Sequence, residues 1–299
     1  MKSLIIAFAM LVCLSPAESP KLKPYILGTR YLGSIASVVD VTKAHLKAEG
    51  FDIVGEYSPA NDVNKKVICV SCKELRNSAA SIGGLTGFAA VLRVGIIATN
   101  NEVHVSYTNP YYWGNAYYRS EYQKVENNYK IVNNMFIAAM KSGGTYTGKF
   151  FGSEDGIELD DLRSYQYMVG MPEFDDVVEL KTFASYADAV KTVDANLAVA
   201  NKNFRKVYEQ TIPGKNLKLY GIALTGNTGE SLFINKIDIS ANKHVAFMPY
   251  EILIKDKTVV MLHGRFRIAV SFPDLTMSTF TKIMSTPGDI ETVMKEVCK

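Results

Sequence analysis

The sequence predicts an α+β protein built from two related halves. Two observations predict it. Segments with strand alternation and segments with helical spacing follow one another over residues 25–140 and again over 175–298 of the 299. Their order then recurs after about 155 residues, as an internal duplication would make it.

In the first half, residues 18–24 read as a linker and "PYILGTRYLGS" as a strand. Ser34 or Ser37 caps a helix that carries Val38, Val41, Leu46 and Ala48 and stops at Gly50. "FDIVGEYSP" and "KKVICVSC" are strands rich in β-branched residues. "KELRNSAASIGG" is a short helix. "GFAAVLRVGIIATNNEVHVSYTNP" supplies two strands joined at Asn100-Asn101, a hairpin turn. Asn109-Pro110 starts a helix, with Asn as cap and Pro in its first turn. From there Tyr111, Tyr118, Tyr122, Val125, Tyr129, Val132, Phe136 and Ala139 keep largely to one helical face. The Gly/Ser/Thr-rich stretch after Lys141 reads as an interdomain linker.

The second half repeats the order. "DDVVELKTFAS" is a strand, and the next helix has Ala189, Val193 and Leu197 four apart. "FRKVYEQTIPG" and "KNLKLYGIALTG" are strands around Pro213-Gly214. "ESLFINKIDIS" fits helix or strand. Residues 244–275 supply two more strands around Asp256-Lys257, and a closing helix runs from Pro287 to Val297. Laid over each other, the halves match Phe51 with Phe204 and Val94 with Ile252. The expected organisation is a first repeat at 25–140, a linker at 141–174 and a second repeat at 175–298.

The opening helix followed by "GFDIVGEY", the paired strands, and the ending "SFPDLTMSTFTKI…TPGDIETVMKEV" resemble the bacterial family catalogued as domain of unknown function 302. The resemblance implies two tandem β-α-β(4)-α units of the TATA-box-binding-protein-like kind. Each would be a curved antiparallel sheet with helices packed on one face. Members of that family can pair, so the tandem copies imply an internal pseudo-dimer. The family has no established activity to carry over.

The N-terminus has one basic residue, Lys2, an apolar run from Leu4 to Leu14, and small residues at Ser15 and Ala17. That pattern is a secretory signal peptide over residues 1–17, cut near Ala17. The run is too short to span a bilayer, and no later segment reads as transmembrane. The expected location is therefore periplasmic or extracellular. The formal charge of +3 falls to +2 once Lys2 is gone. This is too balanced for a nucleic-acid surface.

No nucleophile elbow, phosphate-binding loop or dinucleotide fingerprint is present. The residues therefore point to no catalytic set, no resident metal and no cofactor. Cys69 and Cys72 form a C-x-x-C with three readings: a redox pair, a structural disulfide, or two packed side chains. His104 and His263 fall in matching strands, where a pseudo-dyad would bring them together. The stretch "SYTNPYYWGNAYYRSEYQ" holds the only Trp. Tyr111, Tyr118 and Tyr122 belong to the helical stripe, whereas Tyr112, Trp113 and Tyr117 do not, and Tyr107 ends the preceding strand. Tyr107, Tyr112, Trp113 and Tyr117 must then meet the other half, a ligand or water. The leading expectation is a secreted binding or interaction module for a small apolar or aromatic ligand or a partner protein. The alternative is a thiol-redox envelope enzyme using Cys69 and Cys72.

Overall fold

The computed structural model describes residues 20–299, so the expected leader lies outside the described residues. The first half comprises β1 (Lys21–Leu22), β2 (Tyr25–Tyr31), α1 (Ile35–Ala48), β3 (Asp52–Tyr57), β4 (Lys65–Ser71), α2 (Lys73–Ile82), β5 (Leu92–Ala98), β6 (Val103–Thr108), α3 (Pro110–Tyr118), α4 (Glu126–Lys141) and β7 (Thr145–Phe151). β8 (Ile157–Glu158) and α5 (Leu159–Arg163) follow. The second half comprises β9 (Val178–Thr182), α6 (Tyr186–Ala198), β10 (Phe204–Thr211), β11 (Leu217–Leu224), α7 (Ile234–Ile237), β12 (Tyr250–Lys255), β13 (Thr258–Met261), α8 (Gly264–Ser271), α9 (Met277–Phe280) and α10 (Thr286–Val297).

The architecture is α+β with antiparallel sheets. One sheet has the order β3-β4-β5-β6-β2-β7 and the other β10-β11-β12-β13-β9. Taken in chain order, the five strands of the second sheet occupy the same positions as the first five of the larger one. Helices α1 and α4 cover the first sheet, and α6 and α10 the second. Capping follows the sequence. Ser34 Oγ accepts from Ser37 N at the head of α1, and Asn109 Oδ1 accepts from Tyr111 N at the head of α3.

The uncovered sheet faces meet each other along a seam. Every residue of β11 is buried, as are Val67–Ser71 of β4, so both sheets are covered on both sides. The 310 segment Gly84–Ala90, just before β5, packs on β11 and β12. Its counterpart Val245–Phe247, just before β12, packs on β4, β5 and β6. The edge strands β3 and β10 also touch. A Cβ on Gly55 would stand 2.4 Å from Val207 O, so only glycine allows that approach.

With Val94 laid over Ile252, Arg93 falls on Glu251. The two form an ion pair across the seam, with side chains 3% and 2% exposed. Tyr208 Oη donates to the same Glu251 oxygen. Burial pulls the Arg93 pKa down, but Glu251, together with smaller contributions from Tyr208, Tyr117 and Cys69, more than offsets this and keeps the guanidinium charged. A second clasp is Glu230. Its carboxylate accepts from Ala60 N (2.7 Å) and Tyr57 Oη (3.1 Å) in the first half and from Leu224 N (3.1 Å) in its own. Burial pushes its pKa up to about 7, against the pull of those three donors.

Several expectations change. Thr145–Phe151, read as the start of a linker, is a sixth strand that pairs with β2. Its Gly and Ser neighbours masked the strand-forming Thr-Tyr-Thr and Phe-Phe. The Tyr111–Ala139 stripe is not one helix, because Arg119 takes φ 53° between α3 and a 310 turn. The Arg119 guanidinium reaches Glu173 and Asp175 (2.9 and 2.7 Å), which ties the connecting segment to that break. "ESLFINKIDIS" becomes a 310 turn and the short α7. Residues 264–271, expected as strand, form α8. Most of that helix is buried, so it shows no polar face to betray its period.

Two outcomes follow. Replacing Glu251 with Gln strands Arg93 and costs about 3–5 kcal/mol in urea unfolding, and Arg93→Met with Glu251→Leu recovers most of it. For Glu230, the folded pKa lies above the ordinary carboxyl value, so between pH 4.5 and about 7 the folded chain holds a proton that the unfolded chain releases. Stability relative to Glu230→Gln therefore falls as pH rises through that window, by about 3 kcal/mol in total. Unfolding curves taken at steps from pH 4.5 to 7.5 measure the difference.

Candidate functional site

The aromatic residues expected at a ligand site are used in packing. Tyr107 and Tyr112 are fully buried, and Trp113 and Tyr117 nearly so. Tyr107 stacks on Phe136 of α4, with ring centroids 4.7 Å apart. Tyr112 Oη donates to Val270 O of α8 (2.7 Å), and Trp113 Nε1 donates to Pro24 O (2.9 Å). Tyr117 stacks on Phe174, and burial raises its pKa to about 12. The second aromatic face of the helix therefore meets the second half. Buried Arg267 of α8 sits 5.3 Å from the Trp113 ring centroid and 4.9 Å from that of Phe247, and its guanidinium donates to Phe247 O. Tyr111, expected in the core, is only half-buried.

Among the described residues, Cys69, Cys72 and Cys298 are free thiols. Cys69 lies in β4 beside Arg93 in the sheet register, and Cys72 is the cap residue of α2 without capping it through its side chain. Burial pushes both pKa values up to about 12, and in Cys72 it outweighs the backbone N–H groups at the helix start. Cys298 is pushed to about 12 in the same way. The histidine pair does not form. His104 contacts Glu102 at a hairpin end, while His263 caps α8 by accepting from Arg265 N.

One buried polar cluster opens on a space. Asp238 ends α7, and six residues later His244 precedes the 310 turn that crosses the seam. Asp238 Oδ2 accepts from His244 N (2.9 Å), and Asp238 Oδ1 lies 2.8 Å from His244 Nδ1. Both residues are buried. The imidazole is held by Phe272 (ring centroids 4.4 Å apart), Tyr25 (5.0 Å, edge-on) and Phe151 (5.8 Å). Its other nitrogen, Nε2, is buried and has no hydrogen-bond partner.

His244 lines a cavity of about 90 Å³, room for several water molecules or a small organic molecule. Ile237, Phe272 and Leu275 form apolar walls, and Ser240, Thr276 and Thr279 bring hydroxyls to its rim. Gly152 completes it from the first half. A Cβ there would stand 2.7 Å from Pro24 Cγ and 3.2 Å from His244 Nε2, so a side chain would crowd both. Asp274 fixes the loop by accepting from Ser153 Oγ (3.0 Å) and Glu154 N (2.7 Å).

An apolar groove next to it shares Leu275 and is lined by Tyr167, Phe266, Met277 and Phe280, but its volume is only about 20 Å³. Two larger hollows, about 400 and 330 Å³, are polar or mixed in lining and lie at Lys21–Gln166 and around His263 and Arg265. Neither is lined by a side chain that is both buried and unpartnered. Sequence reasoning missed His244, Asp238 and Gly152. Asp238 and His244 lie in an irregular stretch with no periodicity, and Gly152 read as linker. Among the described residues no three His, Cys, Asp or Glu side chains are grouped to hold a metal ion, and no helix is long and apolar enough to cross a membrane. No protein-family model and no curated protein matches the chain.

The burial of all three thiols has a direct readout. Cys69, Cys72 and Cys298 stay unlabelled by a thiol reagent at pH 8 in the native protein and label fully once it is denatured, as peptide mass mapping resolves.

Proposed function

We propose that this protein is an extracytoplasmic binding module that takes a small, largely apolar or aromatic molecule into the cavity between its halves. The observation that carries this reading is the buried, unpartnered Nε2 of His244 at a cavity with apolar walls. Ligand sites have this character: mostly apolar lining with a few placed polar groups, at a junction between structural units. A buried polar atom without a partner costs free energy, and a ligand that pairs with it removes that cost. The signal-peptide pattern of residues 1–17 supports the location.

The thiol-redox alternative gains no support from the surroundings of Cys69 and Cys72. Burial holds both thiols protonated, and a thiolate is what such chemistry needs.

Thr279 stands at the cavity rim and is partly exposed, so Thr279→Trp fills the cavity without disturbing the core. Native mass spectrometry of the wild-type protein, incubated with a panel of small aromatic compounds, is expected to show a one-to-one adduct that this variant lacks. Equal adduct formation by both proteins overturns the site, and no adduct in either overturns the reading.

A further inference from the structure

Asp238 decides which nitrogen of His244 carries the proton. Its Oδ2 is engaged by the His244 backbone N–H, a group that can only donate. Its Oδ1 faces His244 Nδ1 at 2.8 Å. A carboxylate only accepts, so Nδ1 must bear the hydrogen, and in the neutral ring the lone pair then belongs to Nε2. That nitrogen is the one left without a partner beside the cavity. Gly152 sets no side chain against it, and the Phe272 ring lies 4.4 Å from the imidazole.

The same geometry argues against a metal as the occupant. An imidazole backed by a carboxylate is a common metal ligand, but no group of ligating side chains stands together here among the described residues. What Nε2 lacks is a single hydrogen-bond donor.

We infer that the cavity selects small, neutral, flat molecules that donate one hydrogen bond, of the phenol or aromatic N–H class, to His244 Nε2. This rests on the binding reading above and adds the chemical class to it. The apolar walls and the Phe272 ring favour an aromatic body, and the lone pair of Nε2 requires the donor. Asp238 is a positioning residue, acting only through the tautomer of His244.

Phenol and toluene test this, since they share shape and differ by the donor. Histidine ¹⁵N spectra of the free protein should show Nδ1 protonated and Nε2 as a lone-pair nitrogen. Phenol should then shift Nε2 and bind at least about tenfold tighter than toluene. The variant Asp238→Asn gives a readout that a merely structural role would not move. Its carbonyl oxygen must stay on the His244 backbone N–H, which turns the amide NH₂ toward Nδ1. The proton then moves to Nε2, and the preference for phenol over toluene disappears while the fold, checked by circular dichroism, is kept. If Asp238→Asn does not fold, the wild-type spectra and the phenol-to-toluene ratio still decide. A protonated Nε2 in the free neutral ring, or equal affinity for phenol and toluene, overturns the donor requirement and leaves the binding reading standing. Binding of neither probe, together with no adduct from the wider aromatic panel, overturns both.

Discussion

The Arg93–Glu251 pair sits at the centre of the contact on which the rest of the structure depends. Each residue lies on a central strand of its sheet, β5 and β12, and each faces the other half. Burying two charges is costly, and their mutual attraction offsets that cost only when the halves are in register. The pair therefore favours one alignment of the sheets over sliding alternatives. Apolar contact alone would discriminate less, because both faces are broadly hydrophobic. Tyr208 extends the cluster, and Glu230 repeats the device further out by reaching the backbone of Ala60.

The seam also explains the density of aromatics between Ser106 and Gln123. The helix after β6 has to satisfy its own sheet and the opposite half at once. Tyr112 and Trp113 do the second job, against Val270 and Arg267, and Tyr117 packs on Phe174 of the connecting segment. Cys69, Cys72 and Cys298 are all free, so no disulfide staples the halves among the described residues. The two halves are joined by packing and by a few buried polar contacts. The cavity beside His244 is a by-product of that junction: Gly152 comes from one half, and the carboxylate–imidazole pair from the other.

The period of the strands and helices was legible because one face of each was polar enough to show it. Ala189, Val193 and Leu197, and Ile290, Val293, Met294 and Val297, are buried in the order their spacing implies. Where an element is buried nearly all round, the period vanished. Residues 264–271 therefore read as a strand, and Thr145–Phe151 disappeared into a Gly-rich stretch. The site was less legible still. Asp238, His244 and Gly152 sit in irregular chain, and the last is about 90 residues from the other two, so no local pattern connects them.

The sequence by itself missed β7, α8 and the break between α3 and α4, and it determined the α+β class and the recurring order of most other strands and helices. These rest on local periodicity and on caps and turns, which are properties of neighbours along the chain. Only the tertiary structure decided where the aromatic cluster points, that the C-x-x-C is buried and free, and where a lone imidazole nitrogen is left unpartnered beside a cavity. Those outcomes depend on contacts between residues far apart in sequence, and on the desolvation that such contacts impose.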